Sequence, residues 1–419
     1  MFMLETYQIP CSPLKNMSIH LYNMNGHSKE QKPFTMQNCS FFDVCDRRAG
    51  FYKSDMRGFY IMFILISSSY VLISATRQFT DFGLIVDSLY FKQMMKDFSL
   101  LIFLWVSVFS YCWLAYALQI LILRGLSESL VIVFQHVTQG IMFILTVFLG
   151  LTRDWGLSQT LFSQILVLTH FMKMHSYTMV NRDLRRLKDP AYPNNINPTD
   201  FFQYLVAPAL VYQTDYCRIP KFRPGYFSKK AILLFVQFWS LYNLISDSII
   251  PVLDKVNELS AIEVLSRLIF PVLICYFMVF FILFEQILNL FGEMVRFGDR
   301  EFYLDWWNST SFEEFNRKWN RPVHFFLHKH IYLECIYRNG WSEHWARALT
   351  FVFSAACHEI IMASICRNVK PYLMGLMMVQ IPLVLVQRLL KRSMLGLYVF
   401  WGGMILGLPL LLTMYSKFT

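Results

Sequence analysis

His358 and Glu359 stand side by side in an otherwise apolar stretch, residues 345–366. An ionisable side chain inside a membrane span is costly, and it marks a functional site by default. A neutral imidazole can take a proton near neutral pH, so a general base is the chemistry first expected of His358. The opposing reading is a structural histidine bonded between helices. Arg347, Ser354 and His358 are spaced by seven and four residues, which puts them on one stripe of a helix. Arg347 then lies roughly 16 Å from His358 along the axis. A phosphate-bearing group held at Arg347 can reach His358 through a long arm, although an arginine at a span end also snorkels without any ligand. Glu359 points about 100° away from His358 and is assigned to packing or tuning. Cys357 has no neighbour that would activate its thiol.

A second constellation is Phe302-Tyr303-Leu304-Asp305-Trp306-Trp307-Asn308, followed by Trp319-Asn320 and Pro322-Val323-His324. Aromatic runs near an interface usually act as anchors. An Asp and two Asn among them are less expected. Asn308-Ser309-Thr310 fits a glycosylation sequon, but the segment is expected on the cytosolic side. No His-Glu-x-x-His motif is present. His324, His328 and His330 lack a carboxylate or thiolate set and have Lys329 among them, so no metal site is expected. The nine cysteines are scattered without a Cys-x-x-Cys pair and read as free thiols.

These residues need a membrane scaffold. The 419-residue chain is 55% hydrophobic and only 16% charged, below the roughly one quarter of soluble domains. Its net charge of +10 suits an anionic leaflet and an anionic substrate. The basic residues sit between apolar runs and form no separate domain, which argues against nucleic acid. Nine spans of the needed length are expected, at 58–76, 98–122, 130–151, 157–175, 231–252, 267–291, 345–366, 371–390 and 395–415. Helices are required because each backbone polar group must be satisfied within its segment. With a cytosolic N-terminus, the cytosolic segments hold 26 Lys and Arg against 8 in the luminal ones, as the positive-inside rule demands. The fold class is therefore all-α and polytopic. A tail over 1–57, with no cleavable signal expected, precedes a membrane domain over 58–419. Two long loops, 176–230 and 292–344, are expected to be cytosolic and to carry amphipathic helices.

The FYxDWWN string, the Trp319-Asn320 pair and the intramembrane His358-Glu359 resemble the membrane-bound O-acyltransferases, in the branch that holds sterol and diacylglycerol O-acyltransferases. The resemblance runs from about Met172 to the C-terminus and includes Lys173-Met174-His175-Ser176-Tyr177 and Arg296-Phe297-Gly298-Asp299-Arg300. It implies nine spans in the endoplasmic reticulum membrane, dimers or dimer pairs, and transfer of a fatty acyl group from acyl-CoA to a neutral-lipid hydroxyl. No cofactor is implied, since acyl-CoA is a substrate. His358 matches the catalytic histidine and Asn320 its partner. His324, Tyr332, Arg347 and Ser354 match the acyl-CoA path, and Gln380 matches a polar residue beside the reaction centre. Tyr303, Asp305, Trp306, Trp307 and Trp319 are grouped with the substrate-binding residues. Two departures stand out: Leu408 replaces a glutamine of the diacylglycerol enzymes, and Glu343 stands where relatives often carry lysine. The 173–177, 211–216 and 308–312 strings resemble sterol enzymes, whereas Glu301-Phe302-Tyr303 and Met377-Met378-Val379-Gln380-Ile381-Pro382 resemble diacylglycerol enzymes. A sterol acceptor is expected, with diacylglycerol as the alternative. From other classes, a transporter lacks support because no broken-helix pair or inverted repeat is visible. A non-catalytic lipid-binding relative fits poorly with the full motif set.

Overall fold

A computed structural model describes residues 39–418, apart from 56, 84–91, 391 and 392. The described residues are all-α. Their only β pairing is a single antiparallel bridge between Arg218 and Phe297. Helices cover all nine expected spans. These are α1 (Arg57–Phe82), α2 (Phe98–Leu123), α3 (Glu128–Thr152) and α4 (Leu157–Leu187), which the short α5 (Pro198–Val206) follows. Next come α6 (Pro224–Leu244, continued to Asp254) and α7 (Ala261–Phe280, continued to Met294). Then follow the shorter α8 (Phe312–Trp319) and α9 (Arg321–Leu327, continued to Arg338). The last spans are α10 (Glu343–Cys366), α11 (Tyr372–Leu389) and α12 (Met394–Lys417). Seven of the described helices are long and apolar enough to cross a membrane: α2, α3, α6, α7, α10, α11 and α12.

The helix α4 covers its expected span but is too polar to join that set, and its burial explains why. Gln159, Ser163, Gln164, His170, Lys173, Ser176 and Asn181 are all buried, and α4 packs against α2 and α3. Its polar face thus meets protein, while helices such as α6 turn Phe235 outward with 74% of its surface exposed. Three helices contain widened π-helical turns, at Ile245–Ile249, Phe281–Ile287 and His328–Arg338. Pro251 follows the first of them; it lacks an N–H and its ring displaces the carbonyl four residues back, so the α-helical ladder breaks there. Asp247 in that turn pairs with Arg77 of α1.

The two long loops fold as expected into short helices. Asn197 caps α5 by accepting from the Asp200 N–H at 2.8 Å, with Pro198 in the first turn. Ser311 caps α8 in the same way. One face of α8 carries Phe312, Phe315 and Trp319. They join Phe302, Tyr303, Trp306, Phe280, Phe284 and Phe400 in the largest aromatic cluster, between α7 and α12.

Part of the 1–57 tail is ordered against this core. Ser40 accepts from Asn289 at 2.9 Å. Asp43 meets Lys230 at 2.9 Å and Tyr226 at 2.6 Å, and Lys230 also reaches Glu285 at 3.3 Å. Asp46 meets Arg223, which meets Glu293, which meets Arg300. Burial opposes the charge on Asp46, but hydrogen bonds from Arg48 and Arg223 hold its carboxyl down at about 2. The loops also join each other, since Gly298 donates to the Cys217 carbonyl at 2.7 Å. A Cβ on Gly298 would stand 3.0 Å from that carbonyl oxygen, so glycine is required by the close approach. Residues 39–54, the end of the 176–230 loop and the start of the 292–344 loop therefore lie on one side of the membrane. That agrees with an even number of crossings between each pair.

Candidate active site

His358 sits in α10, which packs against α4, α9 and α11. Its Nδ1 lies 2.7 Å from the Ser354 carbonyl oxygen. A carbonyl can only accept, so Nδ1 carries the hydrogen and Nε2 keeps its lone pair. The ring is exposed in the isolated chain, so Nε2 is accessible to a ligand. Ser354 thus contributes through its backbone. Glu359 is turned elsewhere: it accepts from the Met374 N–H at 2.7 Å and from the Tyr415 hydroxyl at 2.8 Å.

Asn320 caps α9. Its side-chain oxygen accepts from the Val323 N–H at 3.2 Å. With the oxygen committed, the amide NH2 is the end that can donate to a ligand. The position of Asn320 is set by the aromatic motif. Leu304 N–H donates to the Lys318 carbonyl at 2.9 Å, and Arg321 N–H donates to the Phe302 carbonyl at 3.0 Å. Those two bonds bracket Asn320. Arg321 also forms an ion pair with Glu301.

The motif side chains mostly face protein. Tyr303 donates its hydroxyl to Glu285 and accepts from the Phe42 N–H at 3.0 Å. Trp306 packs on Trp319 with ring centres 4.8 Å apart. Trp307 packs on Phe42 at 4.6 Å. Asp305 pairs with Lys318 at 2.9 Å. The Trp306 indole nitrogen is buried and has no hydrogen-bond partner. Trp306 lines a narrow cleft of about 20 Å³ with Tyr276, Trp401 and Leu408.

Along α9, His324, His328 and Tyr332 repeat every fourth residue. Their rings follow one another at 6.1 and 5.3 Å. Burial pushes His324 down to about 4, helped by His328 and the nearby Arg317 and Arg321. Burial lowers His328 as well. Both rings are neutral near pH 7. The row ends at Tyr332, near Arg347, whose guanidinium pairs with Glu343 at 2.7 Å. Gln380 is half-buried on α11, six residues beyond Met374.

Several interior polar residues were not singled out as a site from sequence. Lys173 donates to the Tyr204, Ala207 and Ala209 carbonyls at 2.9, 2.6 and 2.9 Å. Glu285 and Lys230 tie the tail to the core. The rule that flags His358 flags Lys173 and Glu285 equally, since both are ionisable residues within spans. Tyr415 carries no such signal.

Comparison with known proteins fits this arrangement. The chain is 27% identical to the probable sterol O-acyltransferase 1 of Schizosaccharomyces pombe, over 90% of this chain and 85% of that protein. It is 33% identical to diacylglycerol O-acyltransferase 1 of Dictyostelium discoideum over 60% of the chain, and 34% identical to diacylglycerol O-acyltransferase 1B of Glycine max over 62%. These two matches span about half of each relative, 44% and 55%. The model of the membrane-bound O-acyltransferase family matches residues 88–417, most of the chain and every site residue above. A polytopic helical scaffold, an intramembrane histidine with a free Nε2 and a family match of this extent make the protein a member of the membrane-bound O-acyltransferase family, an acyltransferase.

Proposed function

We propose that the protein transfers a long-chain acyl group from acyl-CoA to a sterol hydroxyl in the endoplasmic reticulum membrane. The carrying observation is the His358 Nδ1–Ser354 carbonyl bond, which leaves Nε2 as the base. Nε2 takes the hydroxyl proton as the sterol oxygen attacks the thioester carbonyl. The Asn320 amide donates to the developing oxyanion, an effect often worth about 3 kcal/mol. The C–S bond then breaks, and the CoA sulfur leaves with the proton returned by the imidazolium. No acyl-enzyme and no cofactor enter this scheme. Arg347 and Tyr332 receive the CoA end, with His324 and Ser354 along the acyl path and Gln380 near the centre. The basic loops and the ordered tail face the cytosol, and the chains pair as dimers or dimer pairs.

The sterol reading is supported by the extent of the match to the sterol O-acyltransferase relative, nearly end to end. Diacylglycerol is the second reading, favoured by the higher identity of the shorter matches. Purified protein is offered oleoyl-CoA with cholesterol, ergosterol or diacylglycerol, alongside His358→Ala. Steryl ester that is lost in the variant is the expected result. Triacylglycerol alone would replace the acceptor, and an active His358→Ala would remove the base.

A further inference from the structure

We infer that Glu359 and Tyr415 are positioning residues that set the rotation of His358, an inference that rests on His358 being the base. Glu359 follows His358 on α10, and its two carboxylate oxygens go to two other helices. One accepts the Met374 N–H at 2.7 Å. Met374 lies in the first turn of α11, where backbone N–H groups lack partners and a carboxylate is favoured. The other accepts the Tyr415 hydroxyl of α12 at 2.8 Å. Tyr415 is 5% exposed, shares its one hydroxyl hydrogen between Glu359 and the Lys370 carbonyl, which lies 2.7 Å away, and packs edge-on against Tyr372 at 5.1 Å. One carboxylate thus pins α10 to both of its successors.

Adjacent side chains on a helix keep a fixed angular relation. Holding Glu359 therefore holds the azimuth of His358. A roll of about 20° would move a side-chain atom some 5–6 Å from the axis by about 2 Å. A misplacement of about 1 Å can cost on the order of 100-fold in rate. The contact of Arg347 with CoA, roughly 18 Å up the helix from Glu359, is less affected because a long flexible side chain takes up a small roll of the helix.

The test compares Tyr415→Phe, Glu359→Gln, the double variant and His358→Ala, each as full-length protein recovered as a single folded species. The expected result is a fall in kcat of about tenfold or more for Tyr415→Phe and Glu359→Gln, with KM for oleoyl-CoA within about twofold. The double variant should be no worse than Glu359→Gln, because the two residues act through one bond. Tyr415→Phe removes a single oxygen and keeps the inference testable where a carboxylate change prevents folding. Wild-type kcat in both single variants beside an inactive His358→Ala would overturn the inference and leave the base in place. Parallel changes in kcat and KM, or additive losses, would show general packing and would also overturn it. An active His358→Ala would remove the base assignment and this inference with it.

Discussion

Lys173→Met probes how a buried cation holds the loop beside the active-site helices. The Lys173 ammonium is 4% exposed and spends its three hydrogens on the carbonyls of Tyr204, Ala207 and Ala209. These oxygens close the end of α5 and begin the 207–216 loop. Ser176, one helical turn further on, receives the Tyr212 N–H at 2.9 Å. Methionine has a similar length and no hydrogens to donate. Each stranded acceptor costs about 1–3 kcal/mol. Losing a buried charge returns part of its desolvation cost. The net loss is therefore about 3–5 kcal/mol, which at about 0.9 kcal/mol per degree for a chain of this size lowers the melting midpoint by roughly 3–6 °C. The assay is thermal unfolding of detergent-solubilised protein followed by size-exclusion chromatography with fluorescence detection. A melting midpoint within about 1 °C of wild type, a shift of no more than about 1 kcal/mol by that scaling, would refute the reasoning, because those carbonyls would then have to be satisfied without the ammonium.

Three other perturbations have defined outcomes. Asp43→Ala removes one of the two carboxylates that Lys230 meets in a fully buried site and should cost about 2–3 kcal/mol, whereas Arg48→Ala on the exposed side of the same segment should cost under about 1 kcal/mol; melting curves of the two variants check this. Tyr303→Phe removes the hydroxyl shared by Glu285 and the Phe42 N–H, so the melting midpoint should fall while KM for oleoyl-CoA stays unchanged; a raised KM with an unchanged midpoint would make Tyr303 a substrate contact. His324 titrates at about 4 when folded, against about 6.5 unfolded. Its contribution is fully present above pH 6.5 and is lost as the pH falls toward 4, by about 1–3 kcal/mol. His324→Gln should flatten that part of the stability profile, and a variant with the wild-type slope would contradict it.

The membrane plan was legible because its signal is local. About 20 apolar residues in a row identify a span whatever surrounds them. His358 was legible for a related reason, as a charge-bearing type where none is cheap. The cap at Asn320 went unread, although a side-chain acceptor followed by Pro322 is a helix-start signature. The aromatic motif was visible but its work was not. Sequence groups Tyr303, Trp306 and Trp319 with substrate binding; their packing on Phe280 and the motif's backbone bonds around Asn320 depend on contacts between distant helices. The ordered tail left no trace, because Asp43 and Phe42 meet Lys230 and Tyr303 across separations of 187 and 261 residues. No periodic pattern reports such a pairing.

That separation has a consequence during synthesis. Residues 39–54 leave the ribosome ahead of every span, yet their partners on α6, α7 and the aromatic motif follow about 170 to 260 residues later. Asp43 can meet Lys230 only once α6 has been made, and the Phe42 N–H can meet the Tyr303 hydroxyl only later still. Docking of the tail is therefore a late folding event that reports on everything inserted between. A chain that stalls or mis-threads a span puts the tail and the two loops on opposite sides of the membrane. It then leaves the Asp43 carboxyl without its amine for quality control to find.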